Sequence, residues 1–137
     1  MTQSQPFKHT AYLLFAIGFL NVLAEIFYFH WTIWWYDTML HVMGGAAVAM
    51  FILSAYLYYF NKSPKINLKF ITFVLVGVLV VGILWEIFEL YFNLTSLDDG
   101  IIYKRDTISD LIADMVGGLI GVVYSFQFFG KMNDRIQ

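Results

Sequence analysis

Residues 106–121 read DTISDLIADMVGGLIG. The stretch is apolar enough to lie in a membrane, yet Asp106, Asp110 and Asp114 recur at steps of four. Four residues is about one helical turn, so the three carboxylates lie near one helix face. Gly117, Gly118 and Gly121 follow, small residues of the kind that let membrane helices approach closely. Carboxylates at this depth are costly unless something faces them. What they face is the question the rest of the chain has to answer.

Composition sets the surroundings of that stretch. The chain has 137 residues, of which 60% are hydrophobic, 20% aromatic and 13% charged. A soluble domain carries roughly 25% charged residues, and the mean hydropathy here is +0.69. Four apolar runs, at about residues 10–29, 37–60, 68–94 and 106–129, each meet the roughly 20-residue length that spans a bilayer. The expected fold is all-α: a polytopic four-helix bundle over residues 1–137, one transmembrane domain built as two tandem parallel hairpins. There is no cysteine, which excludes disulfides, thiolate metal ligands and a cysteine nucleophile. Net charge is −2 and the basic residues are scattered, so nucleic acid is not an expected partner and membrane lipid is. Lys8 precedes the first apolar run without a small-residue cleavage site, so that run reads as a retained helix.

Orientation follows from lysine and arginine. With four spans, one side holds Lys8, Lys62, Lys65, Lys69, Lys131 and Arg135, and the other only Lys104 and Arg105. The positive-inside rule then places both termini in the cytoplasm. The segment HWTIWWY, residues 30–36, has three tryptophans and no basic residue but His30, and reads as an aromatic belt at the outer interface. In this frame Glu25, Asp37, Glu86, Glu89, Asp106, Asp110 and Asp114, seven of the ten acids, all fall in helices toward the outer face. His41 falls there too. Glu86 and Asp114 lie about eight residues inside, or about 12 Å.

The two halves also resemble each other. Leu23-Ala-Glu25-Ile-Phe27 matches Leu84-Trp-Glu86-Ile-Phe88, and Asp37-x-x-x-His41-x-x-Gly44-Gly45 matches Asp110-x-x-x-Asp114-x-x-Gly117-Gly118. The order is the same in both, which is the pattern of parallel repeats about an axis along the membrane normal. Sites in such folds commonly lie at the repeat interface.

Each acid has a plain reading beside a chemical one. Asp37 and His41, an i, i+4 pair, suit a shared ion, although Asp37 also fits the start of a helix. Glu86 and Glu89, at i, i+3, repel unless a cation or a proton intervenes, which suits an acid–base role. Asp106 reads as the N-cap of the fourth helix, with Thr107 helping. Asp110 and Asp114 are too deep for capping. Lys104 and Arg105 can neutralise the acids or bind a phosphate. Glu25 is included chiefly through the repeat. The candidate metal ligands are therefore Asp37, His41, Glu86, Asp110 and Asp114, with Glu86 and Glu89 as catalytic candidates. The five glycines, Gly44, Gly45, Gly117, Gly118 and Gly121, read as packing residues. Asn93-Leu94-Thr95 matches a glycosylation acceptor but abuts a helix end.

These motifs together resemble the VanZ-like family of small membrane proteins and the related, uncharacterised YjdF-type inner-membrane proteins. Asp37-x-x-x-His41 is similar to the DKxxH segment of the VanZ-like family, Glu86-x-x-Glu89 to its ExxQ, and Asp110-x-x-x-Asp114-x-x-Gly117-x-x-x-Gly121 to its DxxxNxxGxxxG. Arg105 stands where an upstream arginine is expected. Trp85-Glu86 and the DTxxD of residues 106–110 look more like the YjdF type. Thr38 replaces a lysine of the pattern, and Glu89 and Asp114 replace amides; more acid and less base favours a cation. The resemblance implies a bacterial cytoplasmic-membrane protein of the cell envelope. VanZ itself is associated with teicoplanin resistance.

Oxygen-rich ligands suit Mg²⁺, Mn²⁺ or Ca²⁺, and His41 admits Zn²⁺. One expectation is a metal-dependent hydrolase or transferase acting on a lipid-linked phosphate or envelope precursor. The competing expectation is a proton- or cation-coupled transport protein, for which four helices would need a homo-oligomer to enclose a path. A third is an accessory membrane subunit without catalysis.

Overall fold

The structure is a computed structural model that describes residues 5–60, 67–92, 94–95 and 97–134. Lys62, Lys65, Asn93 and Arg135 lie outside the described residues. Among the described residues five α-helices carry the fold: α1 (Gln5–Phe27), α2 (Phe29–Thr32), α3 (Tyr36–Phe60), α4 (Leu68–Tyr91) and α5 (Ile101–Asp134). No strand occurs among the described residues. Four helices among the described residues are long and apolar enough to cross a membrane, which makes the protein a polytopic helical bundle.

Two sequence-derived boundaries are corrected. The fourth helix starts at Ile101, not at Asp106. A 3-10 turn at Leu97–Asp99 runs into Gly100, whose φ of 59° is readily open only to glycine, and the chain enters α5 immediately after it. Asp106 therefore sits in the second turn and is not a cap. The first helix ends at Phe27, not at about residue 29, and a separate four-residue helix, α2, takes up the start of the aromatic connection. The α4 start is as expected: Asn67 caps it, its side chain accepting from the Phe70 N–H at 2.8 Å.

α3 is the central helix. Half of its span is buried, against 11% of that of α1. α3 packs most extensively on α5, with α1 on one side of it and α4 contacting both. The α3–α5 pair runs in the same direction, because Val42 meets Gly117 and Ala46 meets Gly121. A Cβ on Gly45 would strike the backbone of Asp114, and one on Gly117 would strike the backbone of Val42. Gly118 instead seats Val78 and Leu75 of α4, and Gly44 has only the Asp114 carboxylate near it. Lipid is as apolar as a protein core, so this close backbone approach, rather than transfer out of water, is what holds α3 to α5.

Beyond the glycines, toward the C-terminal ends of α3 and α5, Ala49, Leu53, Val74, Val78 and Val122 form the core of α3, α4 and α5. At the opposite end of the bundle Ala24 of α1 packs on Tyr36 and Leu40 of α3. The Tyr36 hydroxyl donates to the Leu20 carbonyl at 2.9 Å, tying the start of α3 to α1. That bond fixes the first turns of α3, which carry Asp37 and His41.

Candidate metal centre

His41 is the hub of the acids at the N-terminal ends of α3 and α5. It lies one turn into α3, 7% exposed, and both ring nitrogens face carboxylates. Nδ1 lies 3.3 Å from Asp114 Oδ1. Nε2 lies 3.9 Å from Asp37 Oδ2 and 4.0 Å from Asp110 Oδ2. The first distance is a long hydrogen bond; the other two exceed hydrogen-bond range. Donors that each stand about 2.0–2.4 Å from one ion lie roughly 3–3.5 Å apart, so these two gaps would close by about half an ångström on an ion. The ligand atoms of Asp37, His41 and Asp110 all lie within 4.8 Å of one another, so this Asp-His-Asp group could hold a metal ion.

Asp114 completes that arrangement from the other side. With Nδ1–H donated to Asp114, the Nε2 lone pair points at Asp37 and Asp110. This is the carboxylate–histidine–metal order that fixes the tautomer of a ligating imidazole. Asp114 is itself seated: a Cβ on Gly82 of α4 would come within 2.5 Å of its Oδ2. Gly82 thus leaves a notch in α4 that receives the carboxylate. Asp110 and Asp114 are both buried. Asp37, by contrast, keeps 41% of its side chain exposed and forms the open edge of the group.

Glu86 is buried beside this group, 6% exposed. Its Oε2 accepts from the Thr107 hydroxyl at 2.7 Å, and its Oε1 is buried with no hydrogen-bond partner. Thr107 and Asp110 stand three residues apart on α5, so Glu86 joins the same face that carries the metal candidates. Glu89 is turned further outward and accepts from the Trp85 indole N–H at 2.8 Å. The sequence candidates therefore separate. Asp37, His41 and Asp110 converge; Asp114 and Glu86 flank them; Glu89 stands at the margin. Glu25, Lys104, Arg105 and Asp106 are exposed.

Two contributors were not legible as such. Gly82 stands four residues before Glu86, the helical spacing that could have drawn attention to it. His30 of α2 has its Nδ1 3.6 Å from Asp37 Oδ1. It was absorbed into the aromatic segment, and only the fold of α2 turns it toward Asp37.

A second feature lies alongside the same helix pair. A cavity of about 560 Å³ is bounded by α1, α3 and α5 and lined chiefly by Leu13, Val42, Met43, Ala46, Met50 and Ile120. His9 and Tyr124, hydrogen-bonded to each other, mark its end nearer the start of α1. Val42 and Met43 of its lining follow directly on His41.

Residues 2–131 match a family described as Predicted membrane protein (DUF2238). No curated protein and no solved structure matches the chain.

Proposed function

We propose that this chain, which belongs to the DUF2238 family of predicted membrane proteins, binds a divalent cation at the outer end of its bundle and acts there on a lipid-linked phosphate. The observation that carries the reading is the convergence of Asp37, His41 and Asp110 ligand atoms within 4.8 Å, among helices otherwise apolar enough to span a membrane. Uncompensated carboxylates at this depth are costly, and a cation is the partner that answers two carboxylates and an imidazole together.

Mg²⁺, Mn²⁺ and Ca²⁺ suit the oxygen donors, and Zn²⁺ suits His41. Such an ion supplies charge stabilisation to a phosphoryl oxygen. The chain's own residues do the rest. Lys104 and Arg105, exposed on the outer turns of α5, are placed to draw a phosphate toward the site. Glu86, and Glu89 beside it, are the groups available to take or give a proton, the chemistry of a hydrolase or transferase. The apolar cavity that begins beside His41 offers the substrate's hydrocarbon tail a place along α3 and α5. The likeness of the motifs to the VanZ-like family supports an envelope substrate, in a bacterial cytoplasmic membrane with both termini inside.

The test is metal content and metal-dependent thermal unfolding of the purified chain, compared with Asp110→Asn and His41→Ala. The wild-type chain is expected to retain about one ion and to gain about 2.7 kcal/mol at a hundredfold excess of ion over Kd. Both variants are expected to lose the ion and the gain. Equal metal content and equal stabilisation in all three proteins would overturn the reading.

A further inference from the structure

The cavity between α1, α3 and α5 is a cleft with one closed end. Its floor is α3, where Val42, Ala46 and Met50 recur at steps of four along one helix face. Among the described residues α1 packs on α3 rather than on α5, which leaves the cleft open between α1 and α5. Tyr12 of α1, 71% exposed, and Ile120 of α5, 53% exposed, both line the cavity and form the two lips of that opening. In a bundle of helices long and apolar enough to span a membrane, such an opening faces hydrocarbon.

The closed end is built from three rings. His9 Nδ1 and the Tyr124 hydroxyl are hydrogen-bonded across the cleft, joining α1 to α5. The bond pairs two polar groups that apolar surroundings would otherwise penalise. Phe128 packs on His9 with ring centroids 4.5 Å apart and lies within 10° of parallel to Tyr124. The other end begins at Val42, one residue after His41. From Val42 to Met50 is eight residues, or about 12 Å along α3. An extended chain of single bonds advances about 1.2 Å per bond, as a polypeptide does over three bonds per residue, so the cleft takes about ten carbons.

These features select one kind of occupant. An extended peptide would bring backbone amides that this apolar lining leaves unsatisfied. A cleft that starts beside the acidic centre and ends on rings fits a molecule that is polar at its head and apolar for about ten carbons. Resting on the cation reading above for the head group, we propose that the α1–α5 cleft seats one hydrocarbon chain of a phosphate-headed membrane lipid, which enters sideways between α1 and α5, and that His9, Tyr124 and Phe128 set how deep the chain reaches. Met43 and Met50, flexible thioethers in the lining, adapt the walls to the chain.

The experiment uses the full chain in phosphatidylcholine nanodiscs and two n-alkyl phosphates carrying a photoreactive diazirine, one at about the fourth carbon and one at about the tenth. Labelled residues are mapped by peptide mass spectrometry. The first probe is expected at Val42 and Met43 and the second at Met50 and Tyr124, each about tenfold above Val76 and Val80 on the exposed face of α4. Leu13→Trp fills the cleft from α1 and is expected to lower the labelling about tenfold. Leu14→Trp, at a position that is 53% exposed and outside the lining, is expected to leave it unchanged. Tyr124→Ala is expected to let the second probe reach Phe128, and an unchanged pattern overturns the stop. Wild type that holds its ion but is labelled no more in the cleft than on α4 overturns the chain seat and leaves the cation reading standing. Cleft labelling that persists at full strength in His41→Ala supports the seat and overturns the anchoring of the head by the ion.

Discussion

Two segments of this chain share a pattern and end differently. Leu23-Ala-Glu25-Ile-Phe27 on α1 and Leu84-Trp-Glu86-Ile-Phe88 on α4 both present a glutamate near the C-terminal end of a helix. Glu86 is 6% exposed and bonded to Thr107, while Glu25 faces outward. The preceding residue explains the difference. Ala24 is small and fully buried against Tyr36 and Leu40. Trp85 is large and 44% exposed. One residue is about 100° of helix rotation, so burying the alanine turns the glutamate of α1 away, and exposing the tryptophan turns the glutamate of α4 in. A repeated motif thus becomes a buried carboxylate on one side of the α3–α5 pair and a packing surface on the other.

The pair itself is the place where the comparison is easiest to break. Gly45→Ala puts a methyl group against the Asp114 backbone, which no rotamer change relieves. We expect a loss of about 3 kcal/mol, at the upper end of overpacking effects, measured by thermal unfolding of the purified chain in detergent. Gly18→Ala on α1 is the control, because nothing lies within 4 Å of the added methyl. Equal melting behaviour of the two variants would show that the seam is not the structural centre of the bundle.

That seam was legible in the sequence because its signals are local and periodic. Asp37, His41, Asp110 and Asp114 occur in the same phase ahead of glycine pairs, and two helices that start on the same side bring equal phases together. The spans were legible because hydrocarbon admits few alternatives to a long apolar helix. The start of α5 was not: Ile101 to Arg105 contains two adjacent basic residues, yet it is helical because Gly100 provides the turn and the charges project outward. The outward turn of Glu25 was hidden for a different reason, since helix rotation depends on the partner that α1 packs against. His30 was hidden because its approach to Asp37 depends on the left-handed Tyr28, a conformation that no residue pattern announces.

Rotation can be tested by making the first segment resemble the second. Ala24→Trp converts Leu-Ala-Glu into Leu-Trp-Glu at a position with no exposed surface. The indole cannot fit against Tyr36 and Leu40, so α1 must separate from α3 or turn. We expect destabilisation of about 2 kcal/mol, with the Tyr36 to Leu20 hydrogen bond weakened. Crosslinking between cysteines introduced at positions 20 and 36 reads the separation directly. Undiminished crosslinking together with unchanged stability would count against the packing explanation.

The smallest effect expected bears most directly on function. Glu86→Gln keeps the shape and one acceptor for Thr107 but removes a charge beside Asp110, whereas Glu25→Gln removes a charge from the outward face of α1. If the two glutamates differ as their surroundings require, cation affinity falls roughly tenfold in Glu86→Gln, a shift of about 1.4 kcal/mol, and stays at the wild-type value in Glu25→Gln. The two variants carry the same chemical change at matching motif positions, so their difference isolates placement from composition. Equal affinities in both would mean that Glu86, despite its burial, is electrostatically remote from the ion. The site would then be built by α3 and α5 alone, with α4 contributing only the notch at Gly82.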